Sequence, residues 1–173
     1  MNSVFIAFGA NLGKPAETFA RALQSLEARA GRVARRSSLW QSPAWPKGSG
    51  APDYVNAVVE IETDLKPADL LRLLHDIERE HGRLRTSPNA PRSLDLDIIA
   101  YGQVIVDSAQ MAVPHPRMHL RGFVLLPLQE IVPDFRHPVT GETLDSMMAK
   151  LPSDDILAHR RLGPMLAFGG DSH

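Results

Sequence analysis

Apolar positions along this chain recur with two periods. From Ser3 to Phe8 they run almost unbroken as Val4-Phe5-Ile6-Ala7-Phe8, and Gly9 closes the run. That pattern predicts a buried strand. Gly9–Gly13 reads as a loop, and Pro15 suits a first helical turn, where a missing N–H costs nothing. Phe19, Ala22, Leu23, Leu26 and Ala30 then repeat at helical spacing, with Arg21, Glu27 and Arg29 between them. This is an amphipathic helix of about four turns. Val33–Gln41 is a predicted strand, and Ser42–Pro52, dense in Pro, Gly and Ser, a loop. Tyr54–Thr63 alternates: Val55, Ala57, Val59 and Ile61 face one way, while Tyr54, Asn56 and Glu60 share the other face with Val58.

Helical spacing returns from Pro67 to about His81, with Leu70, Leu73, Leu74 and Ile77 as the apolar stripe. Residues 82–90 form a polar loop. Leu94–Tyr101 is a strand by composition, and Gly102-Gln103 is predicted to turn it into a hairpin with Val104-Ile105-Val106. Arg121–Ile131 reads as a helix that Pro127 should kink or else begin. A short helix is expected near Leu144–Leu151. Strands interleaved with two long helices predict the α+β class: a ferredoxin-like sandwich, one mostly antiparallel sheet with helices on one face. No internal repeat is present. The 173 residues suit a single domain, 1–173, with the tail from about residue 152 peripheral to it.

Composition narrows the chemistry. The absence of cysteine removes disulfides, zinc–thiolate sites and thiol nucleophiles together. A formal net charge of -1 argues against a surface that grips nucleic acid or anionic membrane throughout. Met1-Asn2-Ser3 leads into the first apolar run without a basic segment, and no apolar stretch approaches the ~20 residues of a membrane span. A soluble, cytoplasmic protein is expected. Arginine is over-used, with 15 Arg among 19 basic residues. Base composition of the coding genome is one explanation; planar bidentate contacts to phosphate are another.

Charge is also segregated. Residues 83–92 hold Arg83, Arg85 and Arg92 and no acid, whereas 93–116 hold Asp95, Asp97 and Asp107 and no Lys or Arg. In a strand, Asp95 and Asp97 project to one face while Leu94, Leu96 and Ile98 enter the core. Adjacent carboxylates repel, and a divalent cation relieves the conflict. Oxygen donors without nearby His or Cys favour Mg²⁺, which is completed by water and substrate phosphates. A positive loop beside such a pair suits a polyphosphate–metal complex. Two aspartates on a solvated strand face would look the same by spacing alone. No P-loop sequence occurs, and the Gly9–Gly13 loop is too weak a signal to cradle phosphate by itself. In Pro114–Phe123, His115, His119 and Arg121 lead into a helix, which favours anion binding at its N-terminus.

The run Arg92-x-x-Asp95-Leu96-Asp97-Ile98-Ile99 resembles the signature of the 6-hydroxymethyl-7,8-dihydropterin pyrophosphokinase family. Other blocks resemble it in the family's order: Ala7–Gly13, Pro52–Ala57, Ile77-Glu78 with Gly82-Arg83-x-Arg85, and Pro114-His115 to Phe123. Together they cover about Ser3 to Glu130. The resemblance implies transfer of a pyrophosphoryl group from ATP to the pterin hydroxymethyl group, with release of AMP, in folate biosynthesis. It implies that Asp95 and Asp97 hold two Mg²⁺ ions on the triphosphate. Arg83, Arg92, His115 and Arg121 would contact phosphate, with Arg83 and Arg92 stabilising the transition state. Glu78, Arg85 and the backbone near Ile98 would belong to the nucleotide site. Tyr54 and Phe123 would sandwich the pterin and Asn56 would read its edge. Ser42, Pro43 and Trp45 would belong to a loop on the pterin side, with Trp45 capping the pocket.

The chain departs from the family at Ser87-Pro88-Asn89-Ala90, where many members carry an Arg-Trp pair in a loop about one residue longer, and at Pro116, an aromatic in some members. A monomer acting on two small molecules, without nucleic acid or membrane, is expected. Two alternatives stay open: another Asp-x-Asp, Mg²⁺-dependent phospho- or nucleotidyltransferase, and a ferredoxin-like RNA-binding module. The second is disfavoured by 6% aromatic content and balanced charge.

Overall fold

The computed structural model describes residues 1–44, 48–82 and 93–166. Its centre is the first apolar run. Strand β1 (Asn2–Ala10) is followed by helix α1 (Pro15–Arg29), strands β2 (Gly31–Arg36), β3 (Ser38–Ser42) and β4 (Tyr54–Thr63), helix α2 (Pro67–Glu80) and strand β5 (Asp95–Tyr101). The sheet order is β5-β1-β4-β3, with β2 also on β4, and the described pairings are antiparallel. Counting β2 and β3 as one bent strand, this is the β-α-β-β-α-β sandwich expected from the sequence.

The predicted strand Val33–Gln41 is two strands that share β4 as partner and are separated at Ser37. There the Ser37 N–H donates to the Val58 carbonyl and its hydroxyl accepts from the Val58 N–H, both at 2.9 Å. A side chain thus stands in for a backbone acceptor, and the ladder bends without leaving a buried amide unpaired.

Both faces of the sheet are covered, which corrects the expectation of helices on one face. On the first, Val4, Ile6, Phe8, Ala57, Val59, Ile61, Leu96 and Ile98 pack against Phe19, Leu23 and Leu26 of α1 and Leu70, Leu74 and Ile77 of α2. On the second, Phe5, Val58, Ile99 and Ala100 pack against Met118, then α3 (Gly122–Ile131) and α4 (Leu144–Ala149). Phe5 and Phe135 meet edge to face at 5.6 Å. A bulge serves both faces. Ile98 pairs with Ile6 and Ala100 with Phe5, so Ile99 is the extra residue of β5. Ile99 and Ala100 thereby both enter the second core, and Tyr101 returns to the first.

One further expectation changes. The hairpin after β5 does not form: Val104 donates to the Tyr101 carbonyl in a turn, and Ile105 is 59% exposed. Instead β6 (Val106–Asp107) pairs with β7 (Ala112–Val113) in a separate two-stranded ribbon. Pro127 neither begins nor ends α3 but sits buried inside it, withholding the N–H that the Phe123 carbonyl would accept. Beyond Pro152, α5 (Ser153–Leu157) leads into β8 (Arg160–Pro164), which pairs with β3 at the edge of the sheet. Among the described residues no helix is long and apolar enough to cross a membrane.

Candidate active site

The second face gathers most of the described candidate residues. Gly9 of β1 lies opposite Asp95 of β5 on one side and Asn56 of β4 on the other, and Ala7 lies between Asp97 and Val58 in the same way. Directly opposed residues share a face, so Asp95, Asp97, Asn56 and Tyr54 project to one side. It is the side covered by α3. Adjacent strands are about 4.8 Å apart, which sets the Asp95 and Asn56 backbones roughly 10 Å apart across Gly9. With no side chain, Gly9 leaves the floor between carboxylate and amide open. A Cβ there would stand 3.6 Å from Asn56 Oδ1, so local packing does not demand the glycine. Sequence reading placed Gly9 at the end of a strand and the start of the Gly9–Gly13 loop; the cross-strand row is what sets it between Asp95 and Asn56.

Asn56 is 4% exposed. Its Nδ2 donates to Ser42 Oγ at 2.8 Å, fixing the amide and leaving Oδ1 on the Gly9 side. Ser42 is buried, whereas Pro43 is exposed. The start of this loop is tied down by Asp53, which accepts from Ala44 N at 3.2 Å and Gln41 Nε2 at 3.0 Å. Tyr54 is half-buried at the mouth of β4. Phe123 is half-buried in the first turn of α3, with the Arg121 guanidinium 5.4 Å from its ring centroid. That contact is a cation–π pair.

Asp95 and Asp97 are both half-buried. Asp97 and Ile98 border a cleft of about 300 Å³ along the outer edge of β5, closed by Leu71 of α2, the Ser108–Val113 ribbon, His115 and Pro116. Neither Leu71 nor the ribbon is recognisable as a site element from sequence, because only the packing of α2 and of the β6–β7 ribbon beside β5 brings them there. His115 is held on β5 by its N–H, which donates to the Ile99 carbonyl at 2.8 Å. Its Nδ1 accepts from the Arg117 N–H at 3.1 Å, so the ring proton sits on Nε2. Burial, then the charges of Arg121 and Arg117, lower the His115 pKa to about 4, against a weaker opposing pull from Asp95. The imidazole is therefore a neutral N–H donor at pH 7.

Glu78 reaches from α2 to β5. It is 1% exposed and its Oε2 accepts from the Leu96 N–H at 2.8 Å, joining α2 to β5 between the two aspartates. Arg83, Arg85, Arg92 and Trp45 lie outside the described residues. Of the remaining sequence-predicted residues, the sheet face and α3 gather Asp95, Asp97, Asn56, Tyr54, Phe123 and Arg121. Ile98 and His115 border the adjoining cleft, and Ser42 and Pro43 adjoin Asn56.

Among the described residues no three carboxylates or imidazoles converge as a metal cage. The two aspartates nonetheless fit Mg²⁺, since they offer oxygen donors only, from one strand face. Mg²⁺ takes one or two carboxylates and completes its shell with water and phosphate.

Known proteins resemble the chain along most of its length. It is 37% identical over 166 residues to a 2-amino-4-hydroxy-6-hydroxymethyldihydropteridine pyrophosphokinase of Synechocystis, covering 95% of this chain and 83% of that one. A protein of the same name from Pseudomonas aeruginosa is 39% identical over 157 residues, covering 88% of this chain and 94% of the relative. Folic acid synthesis protein fol1 of Pneumocystis carinii is 38% identical over 155 residues, and here the chain spans only 21% of the relative. A crystal structure of a Plasmodium falciparum HPPK-DHPS triple mutant with pteroate superimposes with a TM-score of 0.72 at 12% identity, covering 92% of this chain and 46% of that one. That likeness concerns the fold. The family model for 7,8-dihydro-6-hydroxymethylpterin-pyrophosphokinase matches residues 5–133, which include the aspartate face and most of both cores. The chain thus belongs to the 7,8-dihydro-6-hydroxymethylpterin-pyrophosphokinase family.

Proposed function

We propose that this chain transfers the terminal pyrophosphoryl group of ATP to the 6-hydroxymethyl oxygen of 6-hydroxymethyl-7,8-dihydropterin. The hydroxyl oxygen bonds to the β-phosphorus, the bond from that phosphorus to the α–β bridging oxygen breaks, AMP leaves and the hydroxyl proton is released. The observation that carries this reading is the row Asp95–Gly9–Asn56, with Tyr54 and Phe123 at its margins. It offers an acceptor amide, two aromatic rings and a pair of carboxylates across a floor without a side chain.

The pterin lies between Tyr54 and Phe123 and donates from its amino edge to Asn56 Oδ1. Ser42 fixes that amide beforehand, so little reorganisation accompanies binding. The Ser42–Pro43 loop and Trp45 close the pterin side. ATP occupies the cleft beside β5, with its nucleoside against Ile98 and Leu71 and its phosphates toward Asp97, His115 and Arg121. His115 Nε2–H donates to a phosphate oxygen without adding charge. Arg121 and the loop arginines Arg83, Arg85 and Arg92 oppose the triphosphate charge, and Arg83 and Arg92 oppose the charge that develops at the β-phosphorus. Asp95 and Asp97 would hold two Mg²⁺ ions, which would supply charge neutralisation at the triphosphate. Glu78 fixes the spacing of the aspartates through the Leu96 amide.

Calorimetry tests the pairing of substrates. With Mg²⁺ and a non-hydrolysable ATP analogue present, 6-hydroxymethylpterin should bind at a single site. Nucleotide binding without pterin binding overturns the reading and favours a phosphotransferase acting on another alcohol.

A further inference from the structure

Gly122 is buried at the first position of α3, between Arg121 and Phe123. Its backbone lies outside the left-handed region, so conformation does not call for glycine. Space does. A Cβ at Gly122 would stand 3.0 Å from His159 Cε1, 3.3 Å from His159 Nε2 and 3.4 Å from Ile156 Cδ1. These contacts come from α5 and the residues that link it to β8.

The His159 ring is fixed in place. Its Nδ1 donates to the Asp155 carbonyl at 2.7 Å, and because a carbonyl only accepts, the ring proton sits on Nδ1. Nε2 is then a bare lone pair, buried against Gly122 with no hydrogen-bond partner in the structure. An unpaired buried nitrogen opposes folding, so packing does not by itself favour histidine here. The same short segment also reaches the far end of α3. Glu130 accepts from Ser38 N at 2.9 Å, Ser38 Oγ at 2.5 Å and Trp40 Nε1 at 3.1 Å, and Arg161 stands 3.7 Å from its carboxylate. Burial pushes the Glu130 carboxyl up, but the Ser38 and Trp40 hydrogen bonds and the Arg161 charge outweigh it and hold it below the usual range. Residues 159–161 therefore reach both ends of α3, His159 at Gly122 and Arg161 at Glu130.

We propose that His159, acting through Gly122, is a positioning residue for Arg121 and Phe123, so that the C-terminal segment sets the pterin side of the site. This rests on the roles given above to Arg121 and Phe123. His159 touches no substrate; it fixes where the first turn of α3 sits.

The test compares Gly122→Ala, His159→Ala, the double variant and Phe123→Ala in the full chain, by steady-state kinetics and thermal unfolding. Gly122→Ala should raise the dihydropterin KM about tenfold, and His159→Ala about threefold. The double variant should return close to the parent KM, because the new methyl enters space the ring has left. Thermal stability alone would report a purely structural contact; recovery of KM in the double variant would not follow from one. A parent-like KM in Gly122→Ala, or a double variant no better than the worse single one, overturns the proposal. If Gly122→Ala does not fold, His159→Ala and the double variant decide: an unchanged KM in His159→Ala contradicts it. If Phe123→Ala leaves the pterin KM unchanged, the reading of Phe123 fails instead, and the two failures are distinguishable.

Discussion

Asn56, His115 and Glu78 each have an identifiable hydrogen bond that fixes their position, and that makes single substitutions informative. Asp95→Ala and Asp97→Ala remove charge from a half-exposed strand face without opening a core. Turnover should fall by about 10³-fold or more, the scale of removing a preorganised electrostatic group, with the melting temperature nearly unchanged. Substantial activity in either variant refutes the metal-holding role. Asn56→Ala leaves the Ser42 hydroxyl buried without its donor. A stability loss of about 1–3 kcal/mol is expected, together with a pterin affinity at least about tenfold weaker. Denaturant titration and calorimetry separate the two effects.

His115 predicts a pH dependence. Its folded pKa of about 4 lies below the ordinary 6.5, so between those values the unfolded chain binds a proton that the folded chain does not. Stability from this group is complete above pH 6.5 and is lost as pH falls toward 4. Thermal unfolding in chelator should show that slope, and His115→Gln should flatten it; an unchanged slope in the variant contradicts the burial of a neutral ring.

At the scale of elements, residue patterning was a good guide wherever an element buries one stripe or both faces. The helices from Pro15 and Pro67 appear where Leu23, Leu26, Leu70 and Leu74 fall at helical spacing, and all four side chains are buried. The second covered face was also legible in principle. Phe5 and Ala7 interrupt any alternation in β1, and unbroken apolar runs signal burial on both sides. The hairpin after β5 misled because Val104 and Ile105 are apolar yet 39% and 59% exposed. Strand β8 could not be foreseen: Arg160-Arg161-Leu162-Gly163-Pro164 has no apolar alternation, since an edge strand buries little. Asp95 and Asp97 were legible because period two places them together whatever the surroundings. Gly9 was not, because an empty floor has no side chain to announce it. The Glu78 clamp belongs to this scale as well. Glu78→Leu leaves the Leu96 amide unpaired between the aspartates and should cost about 1–3 kcal/mol. It should also lower kcat, whereas Glu78→Gln should restore stability and most activity. Equal kinetics in the two variants would show that the clamp does not set the aspartates.

At the scale of the molecule, a net charge of -1 is an average over opposed segments. Residues 83–92 hold three arginines and no acid, and the sequence that follows them carries Asp95 and Asp97, a segregation of charge suited to a small polyphosphate. The two faces differ: the one toward α1 and α2 is packed with apolar side chains, while the one toward α3 also carries Asp95, Asp97 and Asn56 around Gly9. The central claim is the bond that breaks. Purified protein with Mg²⁺, ATP and 6-hydroxymethyl-7,8-dihydropterin should form AMP and the pterin diphosphate in equal amounts, with no product when the pterin is omitted, measured by separating and quantifying the nucleotides. ADP with a pterin monophosphate would contradict the account.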